Sequence, residues 1–237
     1  MTRLTTCPDA QSVAERAAAH VERALAHARE QRGVAHLALS GGTTPGLTYE
    51  LLGADPAATA GTHVWFADER CVAPENEESN YRLARETLLD PAGIDGARVH
   101  RMPGELGPSA GAESYELELL ATLGEEPALP VLDLIVLGIG PDGHVASLFP
   151  GARTLDEDKD ALCHGVTDSP KPPPERITLS LAMLHTAREC LLLATGTSKA
   201  DAVDAMLAEP SRHVPASLLR RERLTVIVDD AAAPPRT

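Results

Sequence analysis

Aromatic residues and lysines are scarce in this chain of 237 residues. Phe, Trp and Tyr make up 3% of it, which argues against the aromatic stacking platforms that bind single-stranded nucleic acid. Lysine occurs only at Lys159, Lys171 and Lys199, and 21 basic residues stand against 35 acidic ones, for a formal net charge of −14. Because nucleic acids and anionic membranes are bound by broad basic surfaces, we expect neither as a partner.

Paired cysteines and long apolar runs are also missing. The four cysteines are widely spaced, with no CxxC motif, which favours reduced thiols over a disulfide framework. No run approaches the ~20 apolar residues of a membrane helix, and the amino terminus lacks the pattern of a secretory leader. We therefore expect a cytoplasmic protein, folded as one domain over residues 1–237 around a core of Leu, Val, Ile and Ala.

Hydrophobic periodicity predicts strands that alternate with helices. Ser12 and Glu15 form a capping-box pattern ahead of the first helix. Strands are predicted at 37–39, 63–67, 99–102, 132–139, 177–179, 190–194 and 224–228, and helices at 12–29, from Thr44, and at 79–89, 109–123, 181–187 and 198–208. The alternation predicts an α/β fold, a doubly wound, mostly parallel sheet with helices on both faces, similar to a Rossmann fold.

One stretch interrupts this alternation. Residues 153–174 contain the charged segment Asp156 to Asp160 and the run Pro172-Pro173-Pro174. They predict an excursion over the surface, with a short strand near 162–166.

In an open parallel sheet, ligands bind beyond the carboxyl ends of the strands, so the loops there carry the functional prediction. The loop after the first predicted strand reads Ser40-Gly-Gly-Thr-Thr-Pro45 and leads into a helix. Converging backbone amides at a helix amino terminus would cradle a phosphate. The loop lacks the lysine of a P-loop, and a simple tight turn remains an equal alternative.

The second loop carries three consecutive charges, Asp68, Glu69 and Arg70, after an apolar strand. Such charges are costly to bury unless they pair or contact a ligand. Taken alone, this segment favours an exposed strand exit with a local ion pair.

The third loop contains both a weak dinucleotide pattern and an acid–base pair. Gly138-x-Gly140-x-x-Gly143 has the glycine spacing of a dinucleotide fingerprint, but Asp142 would lie beside the pyrophosphate and Pro150-Gly151 would interrupt the helix. We favour His144 as a group for proton transfer, with Asp142 as the carboxylate that orients it. A structural histidine at a loop corner is the alternative.

Two further cations lie beside later predicted strands, Lys199 after one strand and Arg176 before another. Lys199 lies in the first turn of a predicted helix, where it opposes the helix dipole unless an anion binds there. Arg176 directly precedes a predicted strand. Taken individually, each is better explained as a solvated surface charge.

Together these motifs resemble the 6-phosphogluconolactonase branch of the glucosamine-6-phosphate isomerase/6-phosphogluconolactonase family, over about residues 37–230. The resemblance rests on seven segments in the same order: Ser40-Gly-Gly-Thr-Thr-Pro45; Asp68-Glu-Arg-Cys-Val72 followed by Ser79-Asn-Tyr81; His100-Arg-Met-Pro-Gly104; Leu137-Gly-Ile-Gly-Pro-Asp-Gly-His144; Ala146-Ser-Leu-Phe-Pro-Gly151; Arg176-Ile-Thr-Leu179; and Gly196-Thr-Ser-Lys-Ala200.

The resemblance implies hydrolysis of 6-phospho-D-glucono-1,5-lactone to 6-phospho-D-gluconate in the pentose phosphate pathway, with no cofactor, and we predict no metal site. By position, His144 would activate water, Asp142 would orient its imidazole, and Arg70 would stabilise charge on the lactone oxygen. Asp68 matches a catalytic carboxylate of the deaminase branch. Whether Asp142 or Asp68 supports His144 remains open.

The resemblance also assigns the substrate phosphate. Its oxygens would contact the backbone amides of Gly41, Gly42 and Thr43, with positive charge from Arg176 and Lys199. The expected partner is therefore a small sugar-phosphate lactone, and the oligomeric state, a monomer or a small homo-oligomer, is left open.

The sequence departs from the family pattern at two positions and leaves three other functions to be tested. Ala67 stands where many relatives have Gly, and Val145 stands where Thr is usual, which puts fine specificity in doubt. The alternatives are a glucosamine-6-phosphate deaminase/isomerase, a noncatalytic sugar-phosphate-binding regulator, and a dinucleotide-binding oxidoreductase.

Overall fold

A computed structural model describes residues 2–124, 129–155 and 161–234. The charged segment Asp156 to Asp160 predicted as part of a surface excursion lies outside these residues. The strands are β1 (Arg3–Cys7), β2 (Ala35–Leu39), β3 (Thr62–Phe66), β4 (Asp68–Arg70), β5 (Leu134–Gly138), β6 (Cys163–Val166), β7 (Arg176–Leu179), β8 (Glu189–Ala194) and β9 (Leu224–Asp229). The α-helices are α1 (Ala10–Arg32), α2 (Thr43–Gly53), α3 (Asn80–Ala84), α4 (Pro108–Leu123), α5 (Leu181–Thr186) and α6 (Ala200–Leu207).

Six strands form one parallel sheet in the order β1-β9-β8-β5-β2-β3. The predicted α/β fold with a mostly parallel sheet is thereby confirmed. The sheet is built from buried aliphatic residues, and Trp65, Tyr49, Tyr115 and Phe66 are the bulkiest of the fully buried side chains. The few aromatic residues of this chain therefore mostly serve its core.

A second sheet was not predicted. Strands β4, β7 and β6 pair antiparallel, in that order, outside the parallel sheet. The strand predicted at 177–179 therefore exists, but its place in the main parallel sheet was wrong. Its four residues are all buried, and such a run has the same sequence pattern in either kind of sheet.

Helix α1 begins earlier than the capping-box pattern predicts. Asp9 is the N-cap, and its Oδ1 accepts a hydrogen bond from the backbone N–H of Ser12 at 2.8 Å. Since Asp9 caps the helix, Ser12 lies inside its first turn and is not the capping residue. The predicted capping box is therefore wrong. Val13, Ala17 and Val21 recur at helical spacing and are fully buried.

Two other predictions were inaccurate in detail, and one strand was not predicted. The predicted strand at 99–102 is reduced to a single bridge between Val64 and Val99. The helix predicted at 79–89 changes to π-helical geometry over Arg85–Leu89. Strand β1 was missed, because only one of its five residues, Cys7, is buried and it therefore has little hydrophobic signal.

The order of the strands creates a crevice between β2 and β5. From β2 the chain continues to β3 on one side, whereas from β5 it continues to β8 and β9 on the other. Strands β2 and β5 pair only at Leu37 with Leu134 and at Ala38 with Ile135, so the ladder stops before their carboxyl ends. Ligands of open α/β sheets bind at such a reversal point.

Candidate active site

The loops identified from the sequence surround one cleft of about 510 Å³ at this reversal point. The cleft is lined by eight of the nine predicted site residues: Gly41, Gly42, Thr43, Asp68, Arg70, His144, Arg176 and Lys199. The ninth, Asp142, contacts the imidazole of His144. The structure thus brings the predicted residues together.

The loop after β2 presents backbone amides to the cleft. Gly42 is the N-cap of α2 at φ 111°, a conformation that side chains disfavour, and no side chain caps the helix. The first amides of α2 are therefore left for a ligand. Tyr49 fixes the loop, since its hydroxyl donates to the Ser40 carbonyl at 2.8 Å and accepts from the Ser40 N–H at 3.1 Å.

Ser40 adds a polar group to this loop. Among the described residues its Oγ is buried and has no hydrogen-bond partner. An unpartnered buried hydroxyl is costly, and a ligand oxygen in the cleft would satisfy it.

The three consecutive charges after β3 are separated by strand β4, which turns neighbouring side chains to opposite faces. Asp68 faces the cleft and is 5% exposed, with Oδ1 accepting from Asn80 Nδ2 at 3.1 Å and Oδ2 accepting from Ser147 Oγ at 2.7 Å. The exposed strand exit that this segment alone favours is therefore wrong for Asp68. Its carboxylate is held in place by two neutral donors.

Glu69 points to the other side and stabilises the start of α3. Its carboxylate accepts backbone N–H bonds from Arg70, Asn80 and Tyr81 and a hydroxyl bond from Ser79, all at 2.7–2.9 Å. Glu69 is 3% exposed, and this burial raises the pKa of its carboxyl. The carboxylate thus serves the fold, and the local ion pair expected there is replaced by hydrogen bonds.

Arg70 lines the cleft from the end of β4. Its Nη1 donates to the carbonyl oxygen of Glu78, while its buried Nε has no partner among the described residues. The guanidinium is thus fixed at one end and retains an unused donor at the other.

His144 and Asp142 form a close pair. The distance from His144 Nδ1 to Asp142 Oδ1 is 2.5 Å, so the Nδ1 proton is donated to the carboxylate and Nε2 is the nitrogen left for chemistry. The pair exists because residue 140 is glycine: a Cβ there would lie 2.0 Å from His144 Nδ1 and 2.4 Å from Asp142 Oδ1. The carboxylate that contacts His144 is Asp142.

The environment keeps the imidazole neutral and the carboxylate charged. Burial lowers the pKa of His144, and the hydrogen bond and charge of Asp142 oppose this only in part. Burial would raise the pKa of Asp142, but its bonds with His144 and Lys171 lower it to about 2. At neutral pH the pair is therefore imidazole and carboxylate, the state required of a general base and its orienting group.

Lys171 belongs to the same site and was not predicted. Its Nζ lies 3.2 Å from Asp142 Oδ1 and 3.3 Å from His144 Nδ1. The sequence placed it in the irregular stretch 153–174, where only the scarcity of lysine could have singled it out.

Arg176 has much of its hydrogen-bonding capacity already in use. Its Nε donates to the Pro173 carbonyl, and its Nη2 donates to the carbonyls of Lys171 and Pro172, at 3.0–3.2 Å. The side chain also lies over the Phe149 ring, 5.7 Å from its centroid. Arg176 therefore fixes the segment that carries Lys171. Its Nη1, which none of these bonds uses, is the part of the guanidinium that can contribute to the cleft.

Lys199 approaches from the loop after β8. Burial and the nearby Lys171 ammonium lower its pKa. In the same loop, the Thr195 hydroxyl lies 2.7 Å from the Thr44 hydroxyl, which ties this loop to the segment after β2. Within the described chain, the Lys199 ammonium makes no hydrogen bond or ion pair, although the backbone N–H of this residue donates to the Gly196 carbonyl at 3.0 Å.

The described residues form a second cavity but no cluster of metal ligands. In residues 2–124, 129–155 and 161–234, no group of three or more His, Cys, Asp or Glu side chains could hold a metal ion. A larger cavity of about 1120 Å³ opens where Asp133 and Glu189 mark the amino ends of β5 and β8. Its carboxylates are already paired, Asp133 with Arg32 at 2.6 Å and Glu189 with His20 at 3.0 Å.

The fold and the cleft define an α/β protein with a cationic, amide-lined site and a His–Asp pair at the carboxyl edge of a parallel sheet. A family model described as glucosamine-6-phosphate isomerases/6-phosphogluconolactonase matches residues 8–228. The chain belongs to this family.

Individual relatives agree with this assignment. The chain is 36% identical to a probable 6-phosphogluconolactonase of Schizosaccharomyces pombe, over 95% of this chain and 92% of the relative. It is 37% identical to the 6-phosphogluconolactonase of Streptomyces coelicolor, over 95% and 91%. The structure of 6-phosphogluconolactonase from Trypanosoma cruzi superimposes with a TM-score of 0.87 at 26% identity, covering 98% of this chain and 96% of that one.

Among the described residues, no helix is long and apolar enough to cross a membrane.

Proposed function

We propose that this protein hydrolyses 6-phospho-D-glucono-1,5-lactone to 6-phospho-D-gluconate, with His144 as the general base. The observation that carries the proposal is the 2.5 Å contact between His144 Nδ1 and Asp142 Oδ1 in a cleft that also holds the uncapped amino terminus of α2. The curated relatives that bear the lactonase name support the same reaction.

The chemistry begins with a water molecule at His144. Nε2 accepts one of its protons as the oxygen attacks C1 of the lactone, and the carbonyl oxygen becomes an oxyanion. Asp142 stabilises the imidazolium that forms, and Arg70 stabilises the oxyanion with its available donor. When the bond between C1 and the ring oxygen breaks, the imidazolium returns the proton to that oxygen. The products are a carboxylic acid, which ionises, and a hydroxyl group.

The phosphate is held away from the reacting atoms. The amides of Gly41, Gly42 and Thr43 receive its oxygens, and Arg176 and Lys199 supply positive charge. The separation of the cradle after β2 from the His–Asp pair after β5 supports a sugar phosphate bound across the crevice.

The test compares the wild type with His144→Gln, using acid release from the lactone above its spontaneous hydrolysis. General bases contribute about 10²–10⁴-fold, so the variant is expected to lose turnover by that factor while binding of 6-phosphogluconate, measured by calorimetry, changes little. His27→Gln is the matched control, since His27 is exposed on α1. Equal turnover by His144→Gln and wild type would refute the role of His144.

The same preparation distinguishes the other functions. Release of ammonia from glucosamine 6-phosphate without lactone hydrolysis would make the protein a deaminase, and binding without either reaction would make it a regulator. Tight binding of NAD(P) would indicate an oxidoreductase.

The setting of this activity is part of the proposal. We place the protein in the cytoplasm as one domain that acts on a small sugar-phosphate lactone, without nucleic-acid or membrane partners, as a monomer or a small homo-oligomer.

A further inference from the structure

Lys171 occupies a position that the proposed reaction does not by itself require. Its ammonium contacts the same carboxylate oxygen, Asp142 Oδ1, that accepts the Nδ1 proton of His144. It also lies 3.3 Å from Nδ1 itself. One oxygen is therefore shared between an imidazole and an ammonium, on the side of the imidazole remote from Nε2.

This position is fixed by the surrounding chain. The Ser169 hydroxyl donates to the Lys171 carbonyl at 2.8 Å and accepts from the Lys171 N–H at 3.2 Å. Arg176, which is 4% exposed, donates to the same carbonyl and to those of the next two residues. A surface lysine whose only role was solubility would not need its backbone held at three successive carbonyls.

The charges around His144 come from several elements. Asp142 lies on its own loop, Lys171 on the segment before β7, and Asp68 on β4. The two carboxylates favour the imidazolium, and the ammonium opposes it. The Phe149 ring, 4.7 Å from the imidazole centroid, contributes no charge.

We infer that Lys171 is a positioning residue that holds the Asp142 carboxylate on Nδ1 and keeps His144 unprotonated, so that the base remains available at mildly acidic pH. The inference rests on the proposed function for its catalytic meaning. The direction follows from the contacts: without the ammonium, the Asp142 charge acts on the imidazole uncompensated, and the imidazolium becomes easier to form.

The experiment measures the pKa of His144 directly in the free protein. Nuclear magnetic resonance follows the imidazole C–H signals through a pH titration, with His144→Gln identifying the signal of His144. A like charge within ~4–6 Å shifts a pKa by about 1–3 units, and the Lys171 side chain is 36% exposed, so screening reduces the expectation to about one unit. Lys171→Met is expected to raise the His144 pKa by that amount.

Two variants serve as controls. Lys171→Arg retains the charge and is expected to restore the wild-type pKa to within about 0.3 units, on the scale of a weak charge perturbation. Lys199→Met removes a cation from the same cleft that does not contact the Asp142–His144 pair, and is expected to leave the His144 pKa near its wild-type value.

Kinetics provide the second readout. The acidic limb of the kcat/KM profile reports the free enzyme, and in Lys171→Met it is expected to move to higher pH by the shift seen in the titration. An unmoved His144 pKa would overturn the inference. If KM also rose at every pH, Lys171 would instead be a ligand for the substrate.

The titration uses no substrate, so the two proposals fail separately. A shifted His144 pKa in a protein without lactonase activity would leave the role of Lys171 standing and refute the proposed function. Lactone hydrolysis with an unmoved His144 pKa would support the proposed function and refute the role of Lys171.

Discussion

Substitution of Gly140 by alanine tests whether the reaction depends on the exact approach of His144 to Asp142. The new Cβ would lie 2.0 Å from His144 Nδ1, 2.1 Å from Cε1 and 2.4 Å from Asp142 Oδ1, whereas ordinary van der Waals contact begins at 3.4 Å. The imidazole must therefore move by about 3.4 − 2.0 = 1.4 Å or leave its carboxylate. Because a 1 Å misplacement can cost about 10²-fold in rate, we expect kcat/KM for the lactone to fall by about 10²-fold or more.

The control for this variant is Gly138→Ala on the preceding strand. The nearest atoms to a Cβ at Gly138 would be those of Pro45 and the Gly41 carbonyl oxygen, at 3.7 Å or more, so we expect kcat within about threefold of the wild type, the scale of an unstrained change. Both variants are assayed with the lactone, and binding of 6-phosphogluconate is measured alongside. Full activity of Gly140→Ala would refute the argument, since it would show that turnover does not need the contact.

Three further predictions concern stability and substrate binding. Glu69→Gln places an amide donor against backbone N–H groups, so it is expected to lower the free energy of unfolding in urea by about 3 kcal/mol. Glu78 is exposed, so Glu78→Gln should lower it little, and an equal loss in the two variants would contradict this. Burial and the neighbouring imidazole of His63 lower the pKa of His36 to about 4. As the pH falls, His36 therefore binds a proton in the unfolded protein before it does so in the folded protein. The free energy of unfolding is expected to fall by about 2 kcal/mol between pH 6.5 and 4, after a discount for the partial exposure of the ring, and His36→Gln should flatten this slope. Lys199→Gln should raise KM about tenfold with kcat unchanged, the cost of one charge-assisted hydrogen bond, and an altered kcat would count against it.

The loops of the site could be predicted because parallel strands end at one edge. The segments that follow β2, β3, β5 and β8 each come after a run of mostly buried residues, and the α/β alternation places those strand ends together. Leu132 to Ile139 is a clear example, since a strand covered on both faces has an almost continuous apolar pattern. To predict that these segments lie next to one another, only the fold class is needed, and the sequence pattern predicts the fold class well.

Side-chain direction was harder to predict than loop position. Asp68 and Glu69 are neighbours in the sequence, yet one faces the cleft and the other caps α3. Strand β4 separates them, and its three charged residues have no hydrophobic signal by which a strand is recognised. An isolated charged triplet is therefore ambiguous until its pairing with β7 is known.

Lys171 was missed for a related reason. Its segment has the composition of an irregular surface excursion, with three successive prolines. What brings it to the cleft is the hydrogen bonding of Arg176 to carbonyls in that segment. Contacts between a side chain and backbone carbonyls depend on tertiary geometry and leave no periodic pattern in a sequence.

The net charge of −14 and the proposed anionic substrate are compatible because the relevant field is local. At physiological salt the Debye length is about 8 Å, so distant carboxylates contribute little at the cleft. The nearby cations also differ in availability: Lys171 contacts Asp142, and Arg176 is bonded to backbone carbonyls. The Lys199 ammonium makes no hydrogen bond or ion pair in the described part of the chain, so its whole charge is available to the phosphate of the proposed substrate. Removal of Arg176 would instead loosen the segment that positions Lys171, so its loss should affect kcat as well as KM.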